Sequence, residues 1–231
     1  DDVSHQRPHL WMAAHGSCEA AVGADVGVVR ADADGVIAVG ASNGLGLIET
    51  VGLAAVNQAT FDTANSNLPA FPVNDVLFDG SSLYAATFDG LCIAEDPLEA
   101  FDDGEDLCTT VLDGDNTILP SDEVTALLLA GDDLWIGTSL GIVHWDTSSD
   151  VWIAYGAVSS RVNGLAIAGN IVWAATEDGA YRLDPAVGSA TRFHGGDWDE
   201  AGQDRVRAVA IDAAGTKWLA TDNGLVRYDG P

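Results

Sequence analysis

At 231 residues the chain is long enough to bury one large core or two small ones. An apolar content of 47% excludes intrinsic disorder, and no apolar run is long enough to cross a bilayer as a helix. The formal net charge is −27, with 28 aspartates, 8 glutamates and one lysine, Lys217. Such a surface repels nucleic acid and anionic membranes, and it favours cations, basic partners or a salty habitat. The polar opening, DDVSHQRPH, has no signal-peptide character and reads as a mature or trimmed N-terminus.

In chain order, the first segment with strand character is His9–Ala14, HLWMAA. A phrase that recurs five times follows, beginning at Val26, Val73, Val124, Val162 and Val206. Its hairpin glycines Gly44, Gly90, Gly141, Gly179 and Gly224 are 46, 51, 38 and 45 residues apart. Repeats of this length made of short strands predict β-propeller blades, here at about 26–60, 73–112, 123–155, 162–194 and 206–228. The third copy shows the unit. Val124–Ala130 suits a buried inner strand, Leu134–Thr138 a second strand whose Trp135 fills the gap to the next blade, Ile142–Trp145 a third and Val151–Tyr155 an outer fourth. The pairs Asn43-Gly44, Asp89-Gly90, Asp178-Gly179 and Asn223-Gly224 are residues that accept the positive φ of tight primed hairpins.

The fifth copy ends at Tyr228 without a fourth strand. Residues 9–14 resemble the outer strand of blade three, so they are expected to pair with blade five and close the ring, which removes exposed sheet edges. The expected fold is therefore all-β: a single domain over 1–231, a five-bladed β-propeller of four-stranded antiparallel blades.

Three places are not explained by the repeat. Cys92, in the third strand of blade two, and Cys108, where its fourth strand belongs, sit on antiparallel neighbours, so a disulfide is expected. It would close 15 intervening residues and add about 3 kcal/mol on a chain-entropy estimate. That pairing points to an extracytoplasmic compartment and leaves Cys18 over. His5, His9, Met12, His15 and Cys18 gather three of five histidines and the only methionine within 14 residues. Imidazole, thioether and thiolate are ligands for copper or zinc. As a strand, this segment would hold His9 and His15 about 20 Å apart, so a site needs His5 folded onto His9, or His15 with Cys18. The insertion bearing Asp102, Asp103 and Asp106 is oxygen-rich enough for calcium, though no loop has EF-hand spacing.

The second residues of the inner strands, Asn74, Thr125, Asn163 and Arg207, are expected near one mouth of the central tunnel, where propellers take ligands. Arg161 and Arg205 lie close enough in sequence to join Arg207 in a basic spot for an anion. Gly40-Ala41-Ser42-Asn43-Gly44 matches the Gly-x-Ser-x-Gly pattern of serine hydrolases, but it falls in a hairpin rather than between strand and helix.

The phrases ILPSDEVTALLLAGDDLWIGTSLGI and SNLPAFPVNDVLFDGSSLYAATFDGL resemble the repeat of two-component-system regulator propellers, with Leu68-Pro69 and Leu119-Pro120 before the inner strand and Leu134–Thr138 as its central motif. The resemblance covers about four-fifths of the chain. It implies an extracytoplasmic sensor or binding propeller; in that family the repeats are joined to a transmembrane helix and a kinase, for which this chain has no region. No catalytic residue carries over. The leading expectation is a secreted, periplasmic or surface-exposed propeller that presents loops to a protein, a glycan or a small molecule, or to another copy of itself. The alternatives are a secreted metal-binding protein holding copper, zinc or calcium, and a lyase or glycosidase-type enzyme at the propeller mouth.

Overall fold

The computed structural model describes residues 25–52, 54–98, 106–197 and 205–230. Among these the chain forms strands and turns and no helix. Sheet one is β1 (Val26–Ala31), β2 (Val36–Ala41), β3 (Gly44–Val51) and β4 (Ala54–Phe61), hydrogen-bonded in that order. Sheet two repeats it with β5 (Val73–Asp79), β6 (Ser82–Thr87), β7 (Gly90–Ala94) and β8 (Thr110–Leu112). Sheet three is β9 (Val124–Ala130), β10 (Asp133–Thr138), β11 (Gly141–Asp146) and β12 (Val151–Ala154). Sheet four is β13 (Val162–Ala168), β14 (Ile171–Thr176), β15 (Gly179–Asp184) and β16 (Ser189–Phe193). Sheet five has three strands, β17 (Val206–Ile211), β18 (Lys217–Thr221) and β19 (Gly224–Tyr228). All pairings are antiparallel between consecutive strands. The chain divides into two compact units, Asp1–Leu112 and Asp113–Pro231.

In the first unit the core lies between sheets one and two. Ala38, Leu45, Leu47 and Phe61 pack against Val76, Leu83, Ala85 and Cys92. Cys92 and Cys108 form a disulfide with Cα atoms 5.3 Å apart. Asn67, on the segment entering sheet two, fixes the same cysteine: its Oδ1 accepts from Cys108 N (2.7 Å) and its Nδ2 donates to Cys108 O (2.6 Å). Covalent and polar ties thus hold one point beside β8, the shortest outer strand.

The second unit repeats the packing twice. Trp135, Ile142 and Tyr155 of sheet three meet Val162, Val172 and Ala174 of sheet four, and Trp173 and Ala175 of sheet four meet Val206 and Leu219 of sheet five. Trp135 and Trp173 are each 1% exposed, which confirms large second-strand side chains as the fillers between sheets. Close approach also needs small residues. A methyl group on Gly137 of β10 would lie 2.6 Å from Val162 Cγ1, and one on Gly40 of β2 would lie 2.9 Å from Val73 Cγ1. The valine that opens one inner strand therefore seats on the glycine of the preceding sheet.

The hairpins between second and third strands differ from expectation in one respect. Among the described residues Asp150 is the only non-glycine with positive φ, so Asn43, Asp89, Asp178 and Asn223 stay in ordinary backbone regions. Only the glycine after each takes the unusual conformation, for instance Gly90 at 123° and Gly179 at 128°. A buried threonine organises the turn instead. Thr87, Thr138 and Thr176 each donate Oγ1–H to the carbonyl of that glycine, at 2.7, 3.0 and 2.8 Å. Each also accepts the N–H of the second turn residue, Asp89, Leu140 or Asp178. Thr221 repeats both bonds in sheet five.

Valine is isosteric with threonine but removes both hydroxyl bonds: the turn N–H loses its side-chain acceptor, while the glycine carbonyl keeps only its ladder bond. Thr176→Val is expected to lower stability by about 1–3 kcal/mol, and Thr221→Val, at a more exposed turn, by less. Denaturant unfolding of the two variants checks the order.

Candidate functional site

Each inner strand slips register at its second residue, so that Gly27, Asn74, Thr125, Asn163 and Arg207 are skipped in the ladder. A bulge of this kind re-aims a side chain out of the regular pleat. In the second unit two of these side chains reach the next sheet. Thr125 Oγ1 donates to Val162 O at 2.6 Å, and Asn163 Nδ2 donates to Val206 O at 2.8 Å. Both carbonyls belong to the first residue of an inner strand. The polar residues expected at a ligand mouth thus stand one per sheet at equivalent positions, and two of them use their donors to join neighbouring sheets. Asn74 holds the same bulged position in the first unit.

The arginines at this rim are engaged as well. Arg161, just before β13, pairs with Glu123, just before β9. Arg205 Nε lies 2.8 Å from Glu177 Oε2, and Arg207 pairs with Asp222. Every other described cation is also committed: Arg30 to Asp75, Arg182 to Asp184, Arg192 to Asp178 and Arg227 to Asp229. Lys217 is 8% exposed; it donates to Gly230 O at 2.6 Å and lies 5.2 Å from the Trp173 ring centroid. The described arginines therefore offer no uncommitted basic spot.

The acidic loops divide in the same way. Asp32 Oδ1 accepts from the N–H groups of Asp34, Gly35 and Val36, and Asp212 Oδ1 from those of Ala214 and Thr216. These carboxylates satisfy the amides of their own turns. Asp62 with Asn65, and Asp113 with Asn116, repeat one bracket in the two segments that lead into Leu68-Pro69 and Leu119-Pro120. His5, His9, Met12, His15, Cys18, Asp102 and Asp103 lie outside the described residues. Asp106 is described and exposed. Among the described residues no three His, Cys, Asp or Glu side chains are grouped to hold a metal ion. Ser42 sits in the β2–β3 hairpin, between two strands.

Several polar groups were not singled out by sequence. His144 is 7% exposed, stacks on Trp135 and holds Asp133 Oδ1 at 2.6 Å through Nε2, while its Nδ1 has no partner. Tyr155 OH is buried without a partner in the same core, and burial, then Asp184 and Asp133, push its phenol above the ordinary range. Ser160 Oγ and Glu177 Oε1 are likewise buried and unpaired near the start of sheet four. Trp145 and Trp152 stack at 4.7 Å, and both indoles donate to Asp150 Oδ1, at 3.1 and 3.0 Å. The signal for this last group, two tryptophans around a four-residue turn, was visible in the sequence; the shared acceptor was not.

No protein-family model matches the chain, and no curated protein sequence matches it. Among solved structures, the chain is similar to the extracellular domain of BT4673 from B. thetaiotaomicron, a candidate one-component system, at 20% identity and a TM-score of 0.69 over 88% of this chain and 27% of that one. It is similar to the extracellular domain of BT3049, a candidate hybrid two-component system of the same organism, at 17% identity and 0.67, over 88% and 26%. The WD40 β-propeller domain of Doa1 matches at 14% identity and 0.61, over 85% and 60%. The chain thus has the β-propeller fold in its sheets, and it spans about a quarter of the length of the two bacterial structures.

Asp146 gives a pH test of the turn carboxylates. Hydrogen bonds from the Ser149 and Ser148 side chains, then the Ser149 N–H, lower its carboxyl to about 2. The Trp218 indole and the Thr216 N–H lower Asp212 in the same sense. Because the folded values are depressed, these bonds stabilise the fold above the unfolded carboxylate range near pH 4 and are lost as the pH falls toward 2. Carboxyl NMR titration should show Asp146 ionising near pH 2 and rising toward ordinary values in Ser149→Ala.

Proposed function

We propose that the chain is an extracytoplasmic binding module without catalytic groups of its own, built as a five-bladed propeller. Its loops would meet a protein, a glycan or a small molecule at the rim where the inner strands begin. The observation that carries this reading is the Cys92–Cys108 disulfide in a fold shared with extracellular domains. Disulfides persist in oxidising compartments. The rim supports a binding role over an enzymatic one, because its cations and inner-strand polar side chains are tied to neighbouring sheets and so form a rigid frame.

In the same reading, residues 9–14 supply the fourth strand of blade five. Two observations favour this. Among the described residues sheet five stops at β19, where the other sheets have a further strand. Leu225 on β19 is 65% exposed, on the sheet face opposite Val226 and Tyr228, which pack toward sheet four. An added strand would also cover an open edge.

Hydrogen exchange tests both parts. Amides of Leu225 and Arg227, which point away from β18, are expected to be protected in the full chain and to lose protection when residues 1–14 are deleted; equal exchange in the two would contradict the closing strand. A screen of glycans, peptides and small molecules read by the same method should slow exchange around Thr125, Asn163 and Arg207. A screen in which ligands bind but none protects this rim would contradict the rim as a binding surface.

A further inference from the structure

Among the described residues each of the outer strands β4, β8, β12 and β16 ends its sheet, and β12 is set apart by the side chains it carries. Among the described residues β12 has β11 as its one neighbour, and on it Val151 is 49% and Ile153 37% exposed. On β4 the Thr60 carbonyl is taken by Asn65 Nδ2, and the Gln58 N–H by Asn57 Oδ1. β16 carries Arg192, which binds Asp178. No hydrogen bond from another described element reaches the outer side of β12. A short open strand of this kind accepts an added strand through main-chain bonds, with alternate side chains of the guest reading the two faces.

The two faces of β12 make different demands. On one, Trp152 stands opposite Trp145 in the ladder, the rings stack with 12° between planes, and Asp150 Oδ1 holds both indole N–H groups. The carboxylate keeps a second oxygen beside the partly exposed rings. An aromatic face next to a carboxylate suits a guanidinium or an ammonium. Asp150 adopts this position at φ 54°, the one non-glycine among the described residues to do so. On the other face, Val151 and Ile153 offer apolar side chains. Charge favours the same guest. Asp146, opposite Val151 in the ladder, and Asp150, just before the strand, form no ion pair among the described residues, while the second unit's described cations are engaged elsewhere.

We infer that β12, with the Trp145–Trp152 pair and Asp150, is a docking edge for a basic, extended segment of another protein whose residues alternate between cationic and apolar. The inference rests on the reading of the chain as a binding module but names a surface apart from the rim. Edge pairing of so few residues buries little area, so association is weak and reversible.

The test is an NMR titration of the full chain with a seven-residue peptide of alternating Lys and Val, with a Glu–Val peptide and spermine as controls. Saturable shifts of the Trp145 and Trp152 indole signals are expected with the Lys–Val peptide alone. Asp150→Asn, which keeps an acceptor and tolerates the same backbone, should weaken binding about threefold, and Trp152→Ala about tenfold. Equal shifts with spermine, unchanged affinity in both variants, or no shift at the two indoles would overturn the docking edge. Peptide shifts confined to Thr125, Asn163 and Arg207 would overturn it too, while leaving the binding-module reading in place.

Discussion

A β-sheet has two faces, and a small four-stranded sheet cannot bury either by itself. Stability here therefore depends on how closely one sheet can approach the next, and that distance is set at a few points. Val162 seats over Gly137, and Val73 over Gly40, where a single added methyl group would collide with a β-branched side chain. With the inner strands in contact, the gap widens outward, and Trp135 or Trp173 fills it. Small residue, opening valine and large aromatic form one device in sheets three and four, while sheet one keeps Gly40 and Val73 with Ala38 in the aromatic's place.

The polar chemistry follows from that geometry. Bringing inner strands together would leave carbonyls at their starts without partners, and the bulged second residues answer this: Thr125 and Asn163 donate to Val162 O and Val206 O. The ion pairs Arg161–Glu123 and Arg205–Glu177 join sheets at the same rim. A chain of net charge −27 has few cations, and the described ones serve local pairing. The charge left unpaired is then mostly carboxylate, which selects for cationic or neutral partners wherever a surface remains open.

Much of this was legible in advance. The glycine spacing and the LWIGT phrase located β9 to β12 within a residue or two, because turn chemistry and hydrophobic alternation are local signals. The Cys92–Cys108 pairing was legible because strand order fixes which cysteines are neighbours. Less legible was anything that depends on a partner far along the chain. Gly137 looked like one letter of a motif, and its role appears only when Val162 is placed against it. Thr138 and Thr176 looked like ordinary strand residues, whereas they are turn clamps. The polarity of Asn163 and Arg207 was visible in the sequence, but their acceptors, Val206 O and Asp222, were not. The turn pairs Asn43-Gly44 and Asp178-Gly179 accept positive φ at either residue, yet only the glycine takes it, and Thr176 bonds across the second of these turns.

Thermal unfolding of Gly137→Ala tests the close approach most directly, with Gly156→Ala as control, since a methyl group at Gly156 meets nothing within 4 Å. The account predicts that Gly137→Ala loses about 1–3 kcal/mol through overpacking against Val162 while the control stays near wild type. Equal stability of the two variants would contradict it.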